Sequence, residues 1–431
     1  MYLKGSKWSY NARKKRGNPW RIIVLVLLVA GALYVNQVIV PATPPLFIST
    51  PTPTRSPESF VTEADALLLQ GKLAQAIVAY NSATKADPRN PSLYITLARL
   101  QIYTGNYQDS LKNAENALLI NNNNSMAHAV RGWALSFQGN WLDSEASFKQ
   151  AIALDPNNAI AYAYYAEMLA NLSQSEAGQL NTLDNAIKMS KTARDMAPDV
   201  METHRARGIV LEITSNYAEA AQEFEAAITL NPNIGDLHLA LGRNYRALLQ
   251  YDKAIEEFNR ANALNPSDPL PNTYISRTYA TVGEYAKAIQ FAEQAVKASP
   301  IDPYMYGNLG VMYAHNAQYR DAVGVLTLAV RGGKNADGQT VAGLPLAYGR
   351  IAEYYSSFGL TLARLGQCTD ALQISQLMQQ GVATDENAVF NALEMIKICE
   401  AVAGGNATLP ATLVPSETVS PSKTVKVTPT P

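Results

Sequence analysis

A spacing pattern of 34 residues recurs along most of the chain and limits its fold more than any other feature. In the copy that starts at Gly235, small residues stand at positions 8, 20 and 27, as Gly242, Ala254 and Ala261. Aromatic residues stand at positions 11, 17 and 24, and Pro266 closes the copy at position 32. Small residues let two helices approach closely and large ones fill the gaps between them, whereas proline ends the second helix. The pattern therefore predicts two packed helices in each copy.

Nine copies share this register, and two of them carry insertions. They begin at Pro57, Pro91, Ser125, Ala159, Met201, Gly235, Pro269, Pro303 and Ala352. The surplus of the fourth copy lies in residues 171–183, between its helices, and that of the eighth lies in residues 332–345, after its second helix. We interpret both insertions as loops, and "GGKNADG" (332–338) as a flexible connector.

This pattern resembles the tetratricopeptide repeat, a helix–turn–helix unit of 34 residues. The resemblance covers residues 57–385 and implies an all-α fold, a right-handed α-α superhelix, without a β-sheet from about Pro57 to Gly404. Residues 386–405 are expected to form a capping helix over the last open face.

An apolar segment follows a cationic N-terminus. Residues 1–57 contain eight Lys or Arg and no acid, so the remaining residues sum to −9 against an overall −1. About 20 apolar helical residues span a hydrocarbon core of roughly 30 Å, and the excess of cations before the segment favours a cytoplasmic N-terminus. The sequence predicts a basic cytoplasmic segment (1–21) and a single transmembrane helix (22–40). The alternative is a cleavable signal peptide with "AGA" (30–32) as its cleavage site.

In either case, the residues after about 42 are expected outside the cytoplasm. Residues 41–56 and 406–431 are rich in Pro, Thr and Ser and predict an extended stalk and a disordered tail. The acidic remainder argues against nucleic-acid binding, because no basic face is left to neutralise phosphates.

The repeat array contains no recognisable catalytic motif. Gly-x-Ser-x-Gly, His-Glu-x-x-His and a zinc-type cysteine spacing are all absent from the sequence. His128, His204 and His238 fall at position 4, a packing position, and only His315 is expected to face the groove. The sequence therefore predicts neither an enzyme nor a bound metal or cofactor.

The two cysteines lie at the same end of adjacent units. Cys368 begins the second helix of the ninth copy, and Cys399 lies near the end of the capping helix. A disulfide is geometrically possible, with Cα atoms within roughly 7 Å, and an exported location would permit it. Separate buried thiols are the alternative.

The resemblance implies that the first helix of each copy lines a concave groove. Early copies place apolar and aromatic side chains there, and middle copies place arginines. The candidate ligand contacts are Arg99, Trp133, Phe137, Arg205, Arg243, Arg246, Arg277 and Tyr304. Arginine suits bidentate capture of carboxylate or phosphate. The alternative is internal pairing with Glu202, Glu212 and Asp236, which are also groove positions.

These features predict a membrane-tethered scaffold that binds a protein or peptide outside the cytoplasm, in a bacterial-type envelope. The ligand would carry acidic side chains or a free C-terminal carboxylate. The family's chaperone-binding carboxylate clamp is not matched, so chaperone binding is not expected. The alternative function is an accessory subunit of an envelope enzyme or a secretion or assembly machine. The sequence does not indicate an oligomeric state.

Overall fold

The computed structural model describes residues 18–39, 55–175 and 177–404. The chain divides into two units, Met1–Arg55 and Ser56–Pro431. Nearly all of the predicted basic N-terminus, most of the stalk and the whole of the tail lie outside the described residues.

The described part of the first unit is essentially one apolar helix. Helix α1 spans Pro19–Tyr34 and continues as a short π-helical segment, Val35–Ile39. Asn18 caps it by accepting a hydrogen bond from the Trp20 N–H at 3.3 Å, so the helix begins at Pro19 and not at residue 22. Pro19–Val38 is long and apolar enough to cross a membrane, but an N-terminal signal sequence meets the same criterion.

The described part of the second unit is built from nine pairs of helices and a final single helix. The pairs are α2 (Pro57–Leu69) with α3 (Leu73–Ala86), α4 (Pro91–Tyr103) with α5 (Tyr107–Ile120), α6 (Ser125–Phe137) with α7 (Trp141–Leu154), α8 (Ala159–Ser173) with α9 (Thr182–Met196), α10 (Met201–Ile213) with α11 (Tyr217–Leu230), α12 (Gly235–Ala247) with α13 (Tyr251–Leu264), α14 (Leu270–Thr281) with α15 (Tyr285–Ala298), α16 (Pro303–His315) with α17 (Tyr319–Val330), and α18 (Arg350–Arg364) with α19 (Cys368–Gly381). Helix α20 (Glu386–Ala403) packs against the last pair, and each pair packs against the next. The predicted stacked-helix repeat is confirmed.

The small residues of the repeat are the points where paired helices touch. A Cβ atom added at Gly242 on α12 would lie 2.5 Å from Phe258 Cε1 on α13. Ala254 and Ala261, which flank this contact on α13, are 0% and 2% exposed. The helix spacing therefore follows from the absence of bulk at these positions, as the pattern predicts.

The insertion after α17 contains a small antiparallel sheet, so the prediction that this region lacks β-structure was wrong. Strand β1 (Gly333–Lys334) pairs with β2 (Thr340–Val341), and Gly333 lies opposite Val341. Both strands belong to the surplus residues and not to the 34-residue period. Among the described residues between 91 and 330 the structure has no strand, which agrees with the repeat register.

Local turn chemistry explains this hairpin. The Asn335 side chain accepts hydrogen bonds from the backbone N–H groups of Asp337 at 3.1 Å and Gln339 at 2.8 Å. Gly338 has a φ of 77°, a conformation that favours glycine. Val341 is 1% exposed and packs in a cluster with residues of α16 and α17. The predicted flexible connector is therefore a paired and packed hairpin.

A disulfide joins the capping helix to the last pair. Cys368 on α19 and Cys399 on α20 are bonded, with their Cα atoms 5.5 Å apart. This distance lies within the reach expected from the sequence, and the alternative of two separate thiols does not apply.

Candidate ligand-binding groove

Arg205 is almost fully buried and lines one wall of a cavity in the array. It is 5% exposed. Its guanidinium forms an ion pair with Glu167 and another with Asp236, the latter at 2.7 Å. The same group lies 5.4 Å from the centroid of the Trp133 ring and 5.9 Å from that of Tyr103. A ligand would have to displace two carboxylates to reach Arg205, so the structure does not favour its predicted role as a contact.

The carboxyl groups around Arg205 respond to burial and charge in different ways. Burial raises the pKa of Glu167 above its ordinary value, although Arg205 opposes the shift. At Asp236 burial acts in the same direction, but the charge and hydrogen bonds of Arg205 outweigh it, and the pKa is lowered. Arg205 thus favours the charged form of both carboxyl groups.

The predicted aromatic wall of the groove is part of the core. Trp133 is fully buried, and its ring stacks on that of Tyr164 with centroids 4.0 Å apart. Phe137 is half-buried and stacks on Tyr107 at 4.6 Å. The expectation that Trp133 holds an apolar part of a ligand was wrong, because the neighbouring repeats already cover its ring.

Two more of the predicted contacts are paired internally. Arg99 forms an ion pair with Glu202, and its Nε donates to the Tyr164 hydroxyl at 3.2 Å. Arg243 holds Glu212 through two hydrogen bonds of 2.7 and 2.9 Å. For Arg99, Arg205 and Arg243, internal pairing with an acidic groove residue is what the structure shows.

The N-terminal half closes on itself through contacts between distant repeats. The Asn233 side chain, just before α12, donates to the carbonyls of Leu68 at 3.1 Å and Leu69 at 3.0 Å, at the end of α2. A Cβ atom at Gly71 would lie 3.0 Å from Leu264 Cδ2. The first pair therefore touches the region of the sixth. A cavity of about 310 Å³ lies beside this contact, and its lining includes Leu73, Tyr103, Phe137, Arg205 and Asp236.

A second cavity lies farther along the array. It has a volume of about 290 Å³ and lies between α12, α14, α16 and α18. Its lining includes Arg246, Arg277, Arg350, His315, Glu353 and Tyr354. We call this the arginine pocket, after Arg246, Arg277 and Arg350.

Hydrogen bonds hold one arginine of the pocket in place. Arg277 Nε donates to Asn308 Oδ1 at 2.9 Å, and its Nη2 donates to the Tyr354 hydroxyl at 3.2 Å. The Tyr354 hydroxyl donates in turn to the backbone carbonyl of Tyr304 at 3.3 Å. These partners are neutral, so the charge of Arg277 is not compensated by them.

The second arginine of the pocket has no such partner. Within the described residues, the Arg246 guanidinium makes no hydrogen bond or ion pair, although it is half-buried. Burial lowers its pKa, and the charges of Arg277 and Arg350 lower it further. Burial likewise lowers the pKa of Arg277, with Arg350 adding to the shift. Both guanidiniums are therefore desolvated and lie in the field of Arg350.

The sequence identified part of this pocket and missed the rest. The repeat register places four residues on the groove face of their helices: Arg246, Arg277, Tyr304 and His315. Tyr304 is 42% exposed, and the His315 ring stacks on that of Tyr285. Arg350 was missed because it precedes the ninth repeat frame and follows an insertion.

The three remaining histidines have local partners, and that of His128 is the Asn122 carbonyl at 2.9 Å. The other two follow a common arrangement. His204 hydrogen-bonds to Glu223 at 2.6 Å and to the Pro198 carbonyl at 2.7 Å. His238 repeats the arrangement with Glu257 at 2.6 Å and the Pro232 carbonyl at 2.9 Å. Both lie in different repeats and brace their own helix pair, as their position in the repeat predicts.

Stacked helix pairs with small residues at their contacts define a helical-repeat solenoid. Three family models described as tetratricopeptide repeat match the chain, one over residues 67–134 and 214–272, one over 147–179 and one over 175–233 and 275–337. The chain belongs to the tetratricopeptide-repeat family, whose members are typically non-catalytic scaffolds for protein–protein interaction.

Similar solved structures come from two bacteria. One is a tetratricopeptide repeat protein from Parabacteroides merdae, with 14% identity and a TM-score of 0.39, covering 59% of this chain and 98% of that one. Another is pilF of Pseudomonas aeruginosa, with 17% identity and a TM-score of 0.36, covering 49% of this chain and 92% of that one. The search of curated proteins gave no match.

Proposed function

We propose that this protein is a scaffold held on the outer side of the cytoplasmic membrane, where it binds a negatively charged segment of a protein partner. The observation that carries the proposal is the arginine pocket. Elsewhere the array neutralises its groove arginines with its own carboxylates, as at Arg205 and Arg243. Arg246 and Arg277 have no carboxylate partner among the described residues. A charge left unpaired in a half-buried site favours an oppositely charged ligand.

Two features support a location outside the cytoplasm. The apolar helix near the N-terminus is consistent with an anchor or a signal sequence. The Cys368–Cys399 disulfide is typical of an oxidising compartment. Both features fit a chain that is exported, with the repeats facing away from the cytoplasm.

Site-specific photo-crosslinking tests the proposed groove. A photoreactive residue is placed at Tyr304, which is 42% exposed and whose ring lies 6.4 Å from that of the pocket residue Tyr354. It is compared with one at Gln290, which is exposed on α15 and does not line the pocket. In the full chain in its native membrane, we expect Tyr304 to capture one partner that Gln290 does not. Capture should fall in the double variant Arg246→Ala/Arg277→Ala.

Equal capture from both positions, or capture that ignores the arginines, would contradict the proposal. The identity of the adduct also decides between the two functions. A stoichiometric envelope enzyme or secretion component would make the chain an accessory subunit of that assembly.

A further inference from the structure

Three arginines reach the arginine pocket from three separate helices. Arg246 comes from α12, Arg277 from α14 and Arg350 from the first turn of α18. A single helix would present its side chains from one side only. Here the pocket has guanidinium donors on several sides, and each guanidinium carries five N–H groups in a fixed plane.

The charges of these side chains do not balance. The lining contains one carboxylate, that of Glu353, which accepts a hydrogen bond from Arg350 Nη1 at 2.5 Å. Three guanidiniums and one carboxylate leave a surplus of two positive charges, with His315 taken as neutral. The surroundings of Arg205 differ, because this single arginine has two carboxylate partners.

The surrounding residues fix the pocket before any ligand arrives. Gly307 on α16 has no side chain, and a Cβ atom there would lie 2.4 Å from the Tyr354 ring. This gap admits Tyr354, which is 1% exposed and accepts a hydrogen bond from Arg277. The inserted hairpin precedes α18, the helix that carries Arg350 and Tyr354. A preorganised donor set loses little entropy on binding.

We propose that the arginine pocket binds a phosphoryl group in its doubly charged form. The surplus of two charges matches such a dianion. Its tetrahedral oxygens can accept hydrogen bonds from several directions at once, whereas one carboxylate offers two oxygens in one plane. The cavity volume of about 290 Å³ leaves room for such a group. This inference rests on the proposed function, because the pocket belongs to the same groove.

Calorimetric titration of the full chain in detergent and low-salt buffer tests the inference. The first probe is inorganic phosphate, and the matched probe is malonate, a dianion with two planar carboxylates. We expect phosphate to bind at one site and more tightly than malonate. Arg246→Ala/Arg277→Ala should weaken phosphate binding by about tenfold or more. Glu353→Gln should strengthen it, because the competing carboxylate is removed.

The control variant is Arg260→Ala, which removes one exposed arginine on α13 that pairs with Glu256 outside the pocket. Its phosphate affinity should match that of the parent. Arg246→Ala alone keeps the test valid if the double variant fails to fold, since Arg246 has no partner to lose among the described residues. Phosphoserine as a third probe separates the sources. If phosphoserine binds more tightly than phosphate, the phosphoryl group belongs to a peptide. If phosphoserine binds more weakly, the ligand is the free phosphate ion.

Malonate binding as tight as phosphate would overturn the phosphoryl assignment. So would phosphate binding that the pocket variants do not change, or no phosphate binding at all. Each of these results leaves the proposed function standing if Tyr304 still captures its partner in an arginine-dependent way. Loss of that capture with intact phosphate binding would instead remove the proposed function and keep the anion site.

Discussion

Arg205 and Arg246 occupy groove positions of neighbouring repeats, yet their surroundings are opposite. Arg205 lies against the buried carboxylate of Glu167, whereas Arg246 faces other arginines, including Arg350. The repeat register identifies Arg205 and Arg246 as groove residues because it fixes the helix face they occupy. The register does not show which of the two guanidinium charges is neutralised. Glu167, the partner of Arg205, comes from the preceding repeat, and Arg350, the neighbour of Arg246, follows an insertion.

The two arginines should therefore respond differently to removal. Arg205→Ala leaves the Glu167 carboxylate buried without its partner, and we expect the free energy of unfolding to fall by about 3–5 kcal/mol. Arg246→Ala relieves repulsion between like charges and should change it by less than about 0.5 kcal/mol. Urea denaturation followed by circular dichroism measures both. Equal losses would show that Arg205 is not a structural residue of the interior.

At the scale of helices, the sequence predicts the glycines at helix–helix contacts best and the β1–β2 hairpin least. Gly242 follows directly from the 34-residue pattern, since only a residue without a side chain fits against Phe258. The β1–β2 hairpin lies in surplus residues, where the period carries no information. The hairpin forms because the Asn335 side chain accepts a backbone hydrogen bond and Gly338 has a positive φ. The spacing of the repeats contains neither signal.

A pair of glycine substitutions separates helix packing from helix propensity. Gly242→Ala places a Cβ atom 2.5 Å from Phe258 and 3.1 Å from the Ala254 carbonyl, and should destabilise the array by about 1–3 kcal/mol. Gly324 is also helical, on α17, but nothing lies within 4 Å of its added Cβ atom. Gly324→Ala should stabilise by about 0.5–1 kcal/mol. Thermal unfolding of both variants provides the measurement, and a stable Gly242→Ala variant would contradict the close packing of α12 and α13.

The disulfide should reduce local unfolding of the capping helix α20. It closes a segment with a sequence separation of 31 residues, which corresponds to a loop-closure contribution of about 3–4 kcal/mol. In Cys368→Ser/Cys399→Ser we expect faster amide hydrogen exchange in α20 and unchanged exchange in α12. Unchanged exchange in α20 would mean that packing alone holds the cap.

At the scale of the molecule, the N-terminal repeats pair groove arginines such as Arg99 and Arg205 with carboxylates. In the arginine pocket, Arg246 and Arg277 have no carboxylate partner among the described residues. The contact of Asn233 with the carbonyls of Leu68 and Leu69 joins residues far apart in sequence. No periodic pattern indicates such a contact, because the pattern describes only neighbouring repeats. The aromatic groove predicted around Trp133 is core for a different reason, because Tyr103, Tyr164 and Arg205 cover its ring.

The location of the array is tested by protease added to intact spheroplasts. A chain with its N-terminus inside and its repeats outside should be digested down to the membrane segment. A cytoplasmic reporter protein serves as the control for cell integrity. Full protection of the repeats would show that the proposed orientation is wrong.

The position at which the partner binds along the array can be measured directly. Hydrogen–deuterium exchange of the full chain is compared with and without the partner captured at Tyr304. We predict slower exchange on binding in α12, α14, α16 and α18, which surround the arginine pocket. We predict no change in α4 and α6, whose groove side chains Arg99 and Trp133 contact other residues of the chain. Protection of α4 and α6 without protection of the helices around the arginine pocket would place the ligand in the N-terminal cavity and show that the arginine pocket is not the binding site.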